Sequence, residues 1–177
     1  PLVSGTTRWA VYGIDNAPNN WSVLSYVSSF GYSDPPTAIA TDFWDFAQIY
    51  DAVSDDNLAV GAHSSRQSLY AHKSNTTIFS TLTSAPRARY VASLDNYLFA
   101  FNQQEGSLIF PQRISWSDRG NPSNWTGGLS GFEDLLAMRG EGTRAIVHDN
   151  KFFLFSDSEI WIGSPRDYPF TWRFEPY

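Results

Sequence analysis

His63, His72 and His148 are the only histidines of the chain, and histidine is the side chain best suited to holding zinc or moving protons near neutral pH. His63 and His72 stand nine residues apart with no carboxylate at metal-ligand spacing, and His148 is alone at the end of an apolar run. Scattered in this way, they read as structural or solvated residues. Neighbouring acids occur at Asp55-Asp56, Glu133-Asp134 and Asp157/Glu159, and paired carboxylates can do acid/base work on sugars. Asp157 and Glu159 bracket a predicted hairpin turn (156–158), where solvated turn residues are the better reading. "RGEGTRA" (139–145) is Gly-rich but lacks the Gly-Lys-Ser/Thr ending of a phosphate cradle, so it reads as a loop entering a strand. There is no G-x-S-x-G elbow and no cysteine, which excludes a Cys nucleophile, thiolate metal sites and disulfides. Trp44, in "DFWDF" (42–46), and Trp125 could stack on a sugar, although core or interface aromatics are commoner. Sequons at Asn20, Asn75 and Asn124 would matter only in a eukaryotic secretory context. No catalytic, metal or cofactor residue is assigned, and the chain reads as a non-enzyme.

The densest pattern is "RISWSDRGNPSNW" (113–125). Ile114 and Trp116 alternate on one face of a strand that begins at Arg113. Ser117-Asp118 leave that strand, Gly120 supplies backbone freedom, and Asn121-Pro122 makes a rigid turn. Asp118 is expected to accept backbone N–H groups across the turn, and Trp125 to pack back on its own unit. Arg113, Trp116, Ser117, Asp118, Gly120, Pro122 and Trp125 are therefore read as a structural motif, the corner of a sheet.

The elements around this corner read as strands. Of the 177 residues, 16 % are aromatic and only 17 % charged, a mix that suits a pleated, half-buried surface. The net charge of −6 gains nothing from counterion release at phosphates and argues against stable nucleic-acid binding. No window approaches the ~18 apolar residues of a spanning helix. "PLVSGTTRW" has neither the features of a signal peptide nor an initiating Met, so the chain is expected to be a piece of a longer protein. Strand-like runs of four to seven residues recur between Gly, Pro, Asn, Asp and Ser clusters: "RWAVYGI", "LAVGA", "SLYAH", "TTIFSTL", "ARYVASL", "YLFAF", "QRISWS", "RAIVH", "KFFLFS", "EIWIG" and "TWRFE". Only "FWDFAQIYDAV" (43–53) and "FEDLLAM" (132–138) have spacing that could make a turn or two of helix.

An internal echo narrows the fold. "ARYVASLDNYLFAFN" (88–102) and "TRAIVHDNKFFLFSD" (143–157) share an Arg-led strand, an Asp-Asn pair and an apolar strand, with Asp95-Asn96 and Asp149-Asn150 offset by 54 residues (149 − 95). Both pairs are predicted two-residue hairpin turns. A fainter third copy begins at "DDNLAVGA" (55–62). Antiparallel units of three to four strands repeating every ~40–50 residues predict an all-β fold of β-propeller type. A large Greek-key sandwich is the alternative. Residues 86–177 hold two such blades of a larger, incomplete propeller. Residues 1–85 are a β-rich segment, either the first blades or an inserted domain.

Two families carry similar corners. Ser117-Asp118-x-Gly120 resembles the start of the Asp-box of sialidases and related propellers, but Trp125 comes several residues later than that box's Trp. A sialidase would also need an arginine triad, an acid and a tyrosine that cannot be assigned here. The chain more closely resembles propeller-forming tail proteins of short-tailed bacteriophages, of the tubular, nozzle or hub type. The segments that carry this likeness are Pro86–Val91, Arg113–Trp125, Phe152–Trp161 and Phe170–Glu175, in order over residues 86 to 177. The resemblance implies a structural virion component, made in the host cytoplasm and placed in the tail. It implies a homo-oligomeric ring that meets other tail or portal-proximal proteins, with no membrane partner and no cofactor. The genome would be ejected through the ring's channel without tight binding, which the acidity suits. The alternatives are a sialidase-like glycan hydrolase and a carbohydrate-binding receptor module on a propeller.

Overall fold

The computed structural model describes residues 11–14, 21–26, 43–73, 78–82, 84–166 and 171–177. Every regular element among them is a strand: β1 (Val11–Ile14), β2 (Trp21–Tyr26), β3 (Trp44–Asp51), β4 (Asp56–His63), β5 (Tyr70–Lys73), β6 (Ile78–Thr81), β7 (Arg87–Leu94), β8 (Tyr97–Glu105), β9 (Leu108–Trp116), β10 (Gly131–Asp134), β11 (Gly142–His148), β12 (Lys151–Ser156), β13 (Ile160–Pro165) and β14 (Trp172–Pro176). No helix among the described residues is long and apolar enough to cross a membrane. The protein is all-β.

Three antiparallel meanders follow one another along the chain. β3–β6 form sheet 1, β7–β10 sheet 2 and β11–β14 sheet 3, each with four strands hydrogen-bonded in sequence order. The β1–β2 hairpin lengthens the β6 edge of sheet 1, with β2 parallel to β6. Asp95-Asn96 and Asp149-Asn150 form the turns of the β7–β8 and β11–β12 hairpins, all four residues with φ between 48° and 61°. The short polar side chains of Asp and Asn tolerate this left-handed region, and its twist matches that of the paired strands.

Both stretches with helix-like spacing are corrected. Residues 43–53 hold β3, which pairs with β4 in register from Trp44↔His63 to Asp51↔Asp56. Ile49 and Asp51 are buried while Phe46, Gln48 and Tyr50 at the alternate positions face out, a two-residue period that the run of large apolar side chains obscured. The faint third copy is therefore the β3–β4 hairpin, with a longer turn at 52–55. Within 132–138, Phe132–Asp134 belong to β10, and one tight turn, closed by the Met138 N–H on the Leu135 carbonyl, drops Leu135 and Met138 into the core.

Sheet 2 lies between the other two. The first strands adjoin: β7 packs on β3 and β4 to one side and on β11 to the other. Along β8, Tyr97, Phe99 and Phe101 join Trp116, Leu135, Phe152, Leu154, Trp172 and Phe174 in the core shared with sheet 3. The residues between them, Leu98 and Ala100, join Ile49, Leu58, Val60, Ala62 and Val91 in the core shared with sheet 1. Polar ties reinforce the first interface. Asp45 on β3 accepts the Val91 N–H at 3.1 Å, and the Ser93 hydroxyl donates to the Gln48 carbonyl at 2.6 Å. Burial raises the Asp45 carboxyl above its ordinary range, an effect partly offset by the Val91 N–H.

Gly142 opens β11 against the ring of Phe101, and a Cβ there would overlap the ring carbons. Gly142→Ala is expected to destabilise the fold by about 1–3 kcal/mol through overpacking, read as a lower urea midpoint.

Candidate functional site

The corner at 113–131 consumes its own chemistry. Ser117 is fully buried; its N–H donates to the Leu98 carbonyl (2.8 Å) and its Oγ accepts the Leu98 N–H (3.0 Å), so the chain leaving β9 is held against β8. The Asp118 N–H donates to the Asn124 carbonyl, which closes the turn, and Asp118 Oδ1 accepts the backbone N–H groups of Arg119 (3.0 Å) and Leu129 (2.9 Å). Gly120 has φ +67° and is buried against Asn96 and Ala52. Its N–H donates to the Asn96 carbonyl, and its carbonyl accepts the Ala52 N–H. The Asn96 side chain in turn accepts the Tyr50 N–H, and Arg119 pairs with Asp95. The corner therefore clamps the β3–β4 and β7–β8 hairpin turns together.

Trp116 is buried and donates its indole N–H to the Leu129 carbonyl at 2.9 Å. Trp125 packs against the core cluster that includes Ala88, Val91, Leu98 and Ala100 of its own sheet, with its indole N–H fixed on the Pro122 carbonyl at 2.7 Å.

Arg113 is engaged on every side. Nε and Nη2 grip both carboxylate oxygens of Asp134 (2.6 and 2.8 Å), and Nη1 reaches Glu105 at 2.7 Å. Its guanidinium lies 3.8 Å from the Phe110 ring centre and 4.8 Å from that of Phe132, a double cation–π contact. The Arg113 hydrogen bonds and charge hold the Asp134 carboxyl below the usual carboxylate range.

Beside this cluster a recess of about 500 Å³ opens over β8, β9 and β10, next to the segment joining sheets 1 and 2. Trp125 and Phe132 are its aromatic walls and Glu105 its carboxylate, with Thr126 and Ser130 along the loop. On its floor the buried Gln103 amide donates to Ala100 O and Ser115 Oγ, both at 2.8 Å, and the Ser115 hydroxyl lies 3.1 Å from Gln103 Oε1.

The remaining candidates stay apart. His63 is buried, its Nδ1 accepting the Ser65 N–H and meeting the Ser65 hydroxyl, and its ring meets Trp44 edge-on at 5.0 Å. Trp44 itself sits among His63, Tyr70 and Phe46. His72 lies against Phe79, and His148 is exposed at the end of β11. Asp157 accepts the Glu141 N–H, and Glu159 accepts the Arg139 N–H and the Trp161 indole N–H; these bonds hold Glu159 below the ordinary range. Both acids thus anchor the loop at 139–141. Asn124 binds Asp118 and the Gly127 carbonyl, whereas Asn20 and Asn75 lie outside the described residues. No group of three or more His, Cys, Asp or Glu side chains that could hold a metal occurs among the described residues.

Two residues that sequence reasoning missed prove central. Asn102, fully buried at φ +58°, accepts Arg66 Nε at 2.7 Å and donates to the Gly142 carbonyl at 2.8 Å, joining all three sheets. Gln103 next to it floors the recess. Their one signal is the run of three amides, Asn102-Gln103-Gln104, that ends the apolar stretch of β8. Comparison of the chain with known protein families and with curated proteins finds no match.

Asp118→Ala is expected to cost about 1–3 kcal/mol in urea unfolding, and Asp118→Asn less, because one acceptor oxygen remains. The Asp134 pair sets a pH dependence. With its folded pKa depressed, its contribution is in place above the unfolded value near ~3.9 and is lost as pH falls through the folded value. Urea midpoints should therefore fall more steeply on acidification in the parent protein than in Asp134→Asn. The difference at neutral pH should be about 1 kcal/mol or less, since Asp134 is partly exposed.

Proposed function

We propose that the protein is a non-enzymatic structural module of a bacteriophage tail, built as successive β-propeller blades and assembling into a ring around the channel for genome delivery. The observation that carries this reading is the succession of three four-stranded meanders whose first strands β3, β7 and β11 lie side by side. That is how propeller blades are arranged about an axis, each with its first strand innermost. The corner motif supports the same reading, since its Ser, Asp, Arg and Trp side chains are spent on bracing their own blade while the Gly120 carbonyl accepts the Ala52 N–H of the preceding one. Net charge −6 suits a wall past which DNA must slide. Ring contacts would be heterologous, one face of each subunit meeting the other face of the next.

Native mass spectrometry of the full-length product, with electron microscopy of the same sample, is expected to show closed rings with a central channel. A monomeric complete propeller that turns over a fluorogenic sialoside, with turnover lost on replacing one arginine, would replace this reading with the glycan hydrolase.

A further inference from the structure

We propose that the recess over β8–β10 is a binding site for a neutral saccharide of one or two rings, an inference independent of the assignment to a phage tail. Sugar rings present flat C–H faces and a rim of hydroxyls, so a site for them needs fixed aromatic surfaces beside hydrogen-bonding groups. The recess has both. The Trp125 ring is held by its bond to the Pro122 carbonyl, and the Phe132 ring is held by the guanidinium of Arg113. Phe132 remains 62 % exposed, far more than a residue retained only for the core. Rigid aromatic anchors lose little freedom when a ligand arrives. Along the loop, the Ser130 hydroxyl donates to the Gly127 carbonyl at 2.7 Å and so offers its lone pairs to a ligand hydroxyl, beside the Thr126 hydroxyl. The volume, about 500 Å³, lies within the ~300–1,000 Å³ of small-ligand pockets.

Charge selects among ligands. Among the described residues the lining of the recess has no Lys, Arg or His to compensate a sialic acid, uronic acid or phosphate. Its carboxylate, Glu105, shares Arg113 with Asp134, so the rim of the recess keeps a net negative charge that repels an acidic sugar. The aromatic walls and loop hydroxyls then favour an uncharged sugar. The site would thus be distinct from that of a sialidase, which requires cationic recognition of its substrate.

The test is a glycan array probed with the full chain. It would carry neutral oligosaccharides ending in glucose, galactose, mannose or N-acetylglucosamine, beside sialylated and uronic-acid glycans and a proline-rich peptide. Hits would be titrated by intrinsic tryptophan fluorescence. Binding to one or more neutral glycans is expected, weakened at least ~10-fold by Phe132→Ala, the loss typical of an anchoring aromatic. Thr126→Trp, which fills the recess from an exposed loop position, should abolish binding, with thermal melting unchanged in both variants. The proposal is overturned if no neutral glycan binds, if only acidic glycans or the peptide bind, or if neither variant weakens binding.

Discussion

Strand β8 is buried on both faces, and the arrangement of the three sheets depends on that. Tyr97, Phe99 and Phe101 fill the core toward sheet 3 while Leu98 and Ala100 fill the core toward sheet 1. The size difference matters. Large rings on one side demand space, which Gly142 yields by admitting Phe101 against the start of β11. Small side chains on the other side let β7 and β8 approach β3 and β4, where Val60 and Ala62 are completely buried. Apolar area removed from water at both faces of one strand, worth roughly 25 cal/mol per Å², is what joins three separate meanders into one packed body.

Apolar packing is indifferent to small slips, and polar ties remove that freedom. Asn102 contacts Arg66 from sheet 1 and Gly142 from sheet 3, so the three sheets share one buried amide. The corner after β9 ties together the β3–β4 and β7–β8 hairpin turns through Gly120 and Asn96. With these two knots, motifs that looked able to do chemistry become fasteners. The same logic explains the acids at 157 and 159, which accept backbone N–H groups of the loop that leads into β11.

The recess over β8–β10 is a by-product of this fastening. The corner loop brings Trp125 into one recess with Phe132 of β10, over the outer part of sheet 2. Arg113, engaged by two acids and two rings, makes that edge stiff and leaves it with a net negative charge. A scaffold and a pocket for an uncharged ligand are thus compatible products of one set of contacts.

Much of this was legible in the residues. The turn residues Asp95-Asn96 and Asp149-Asn150, the apolar runs between them and the Ser-Asp-x-Gly corner declare their backbone conformations locally, because short polar side chains and glycine alone accept positive φ at low cost. Strand content followed from aromatic and β-branched residues in short runs. What was misread was the β3 stretch, where helical and strand periods coincide over a few large side chains until pairing with β4 decides between them. The partners of Asn102, the side of sheet 2 on which Trp125 lands, and the meeting of Gln103, Ser115 and Phe132 in one recess were not legible at all. Each joins residues distant in sequence, and only the stacking of one sheet on the next brings them together. The chain by itself determined where strands form and turn; the tertiary structure decided which faces meet, because that is set by the summed fit of many side chains rather than by any local preference.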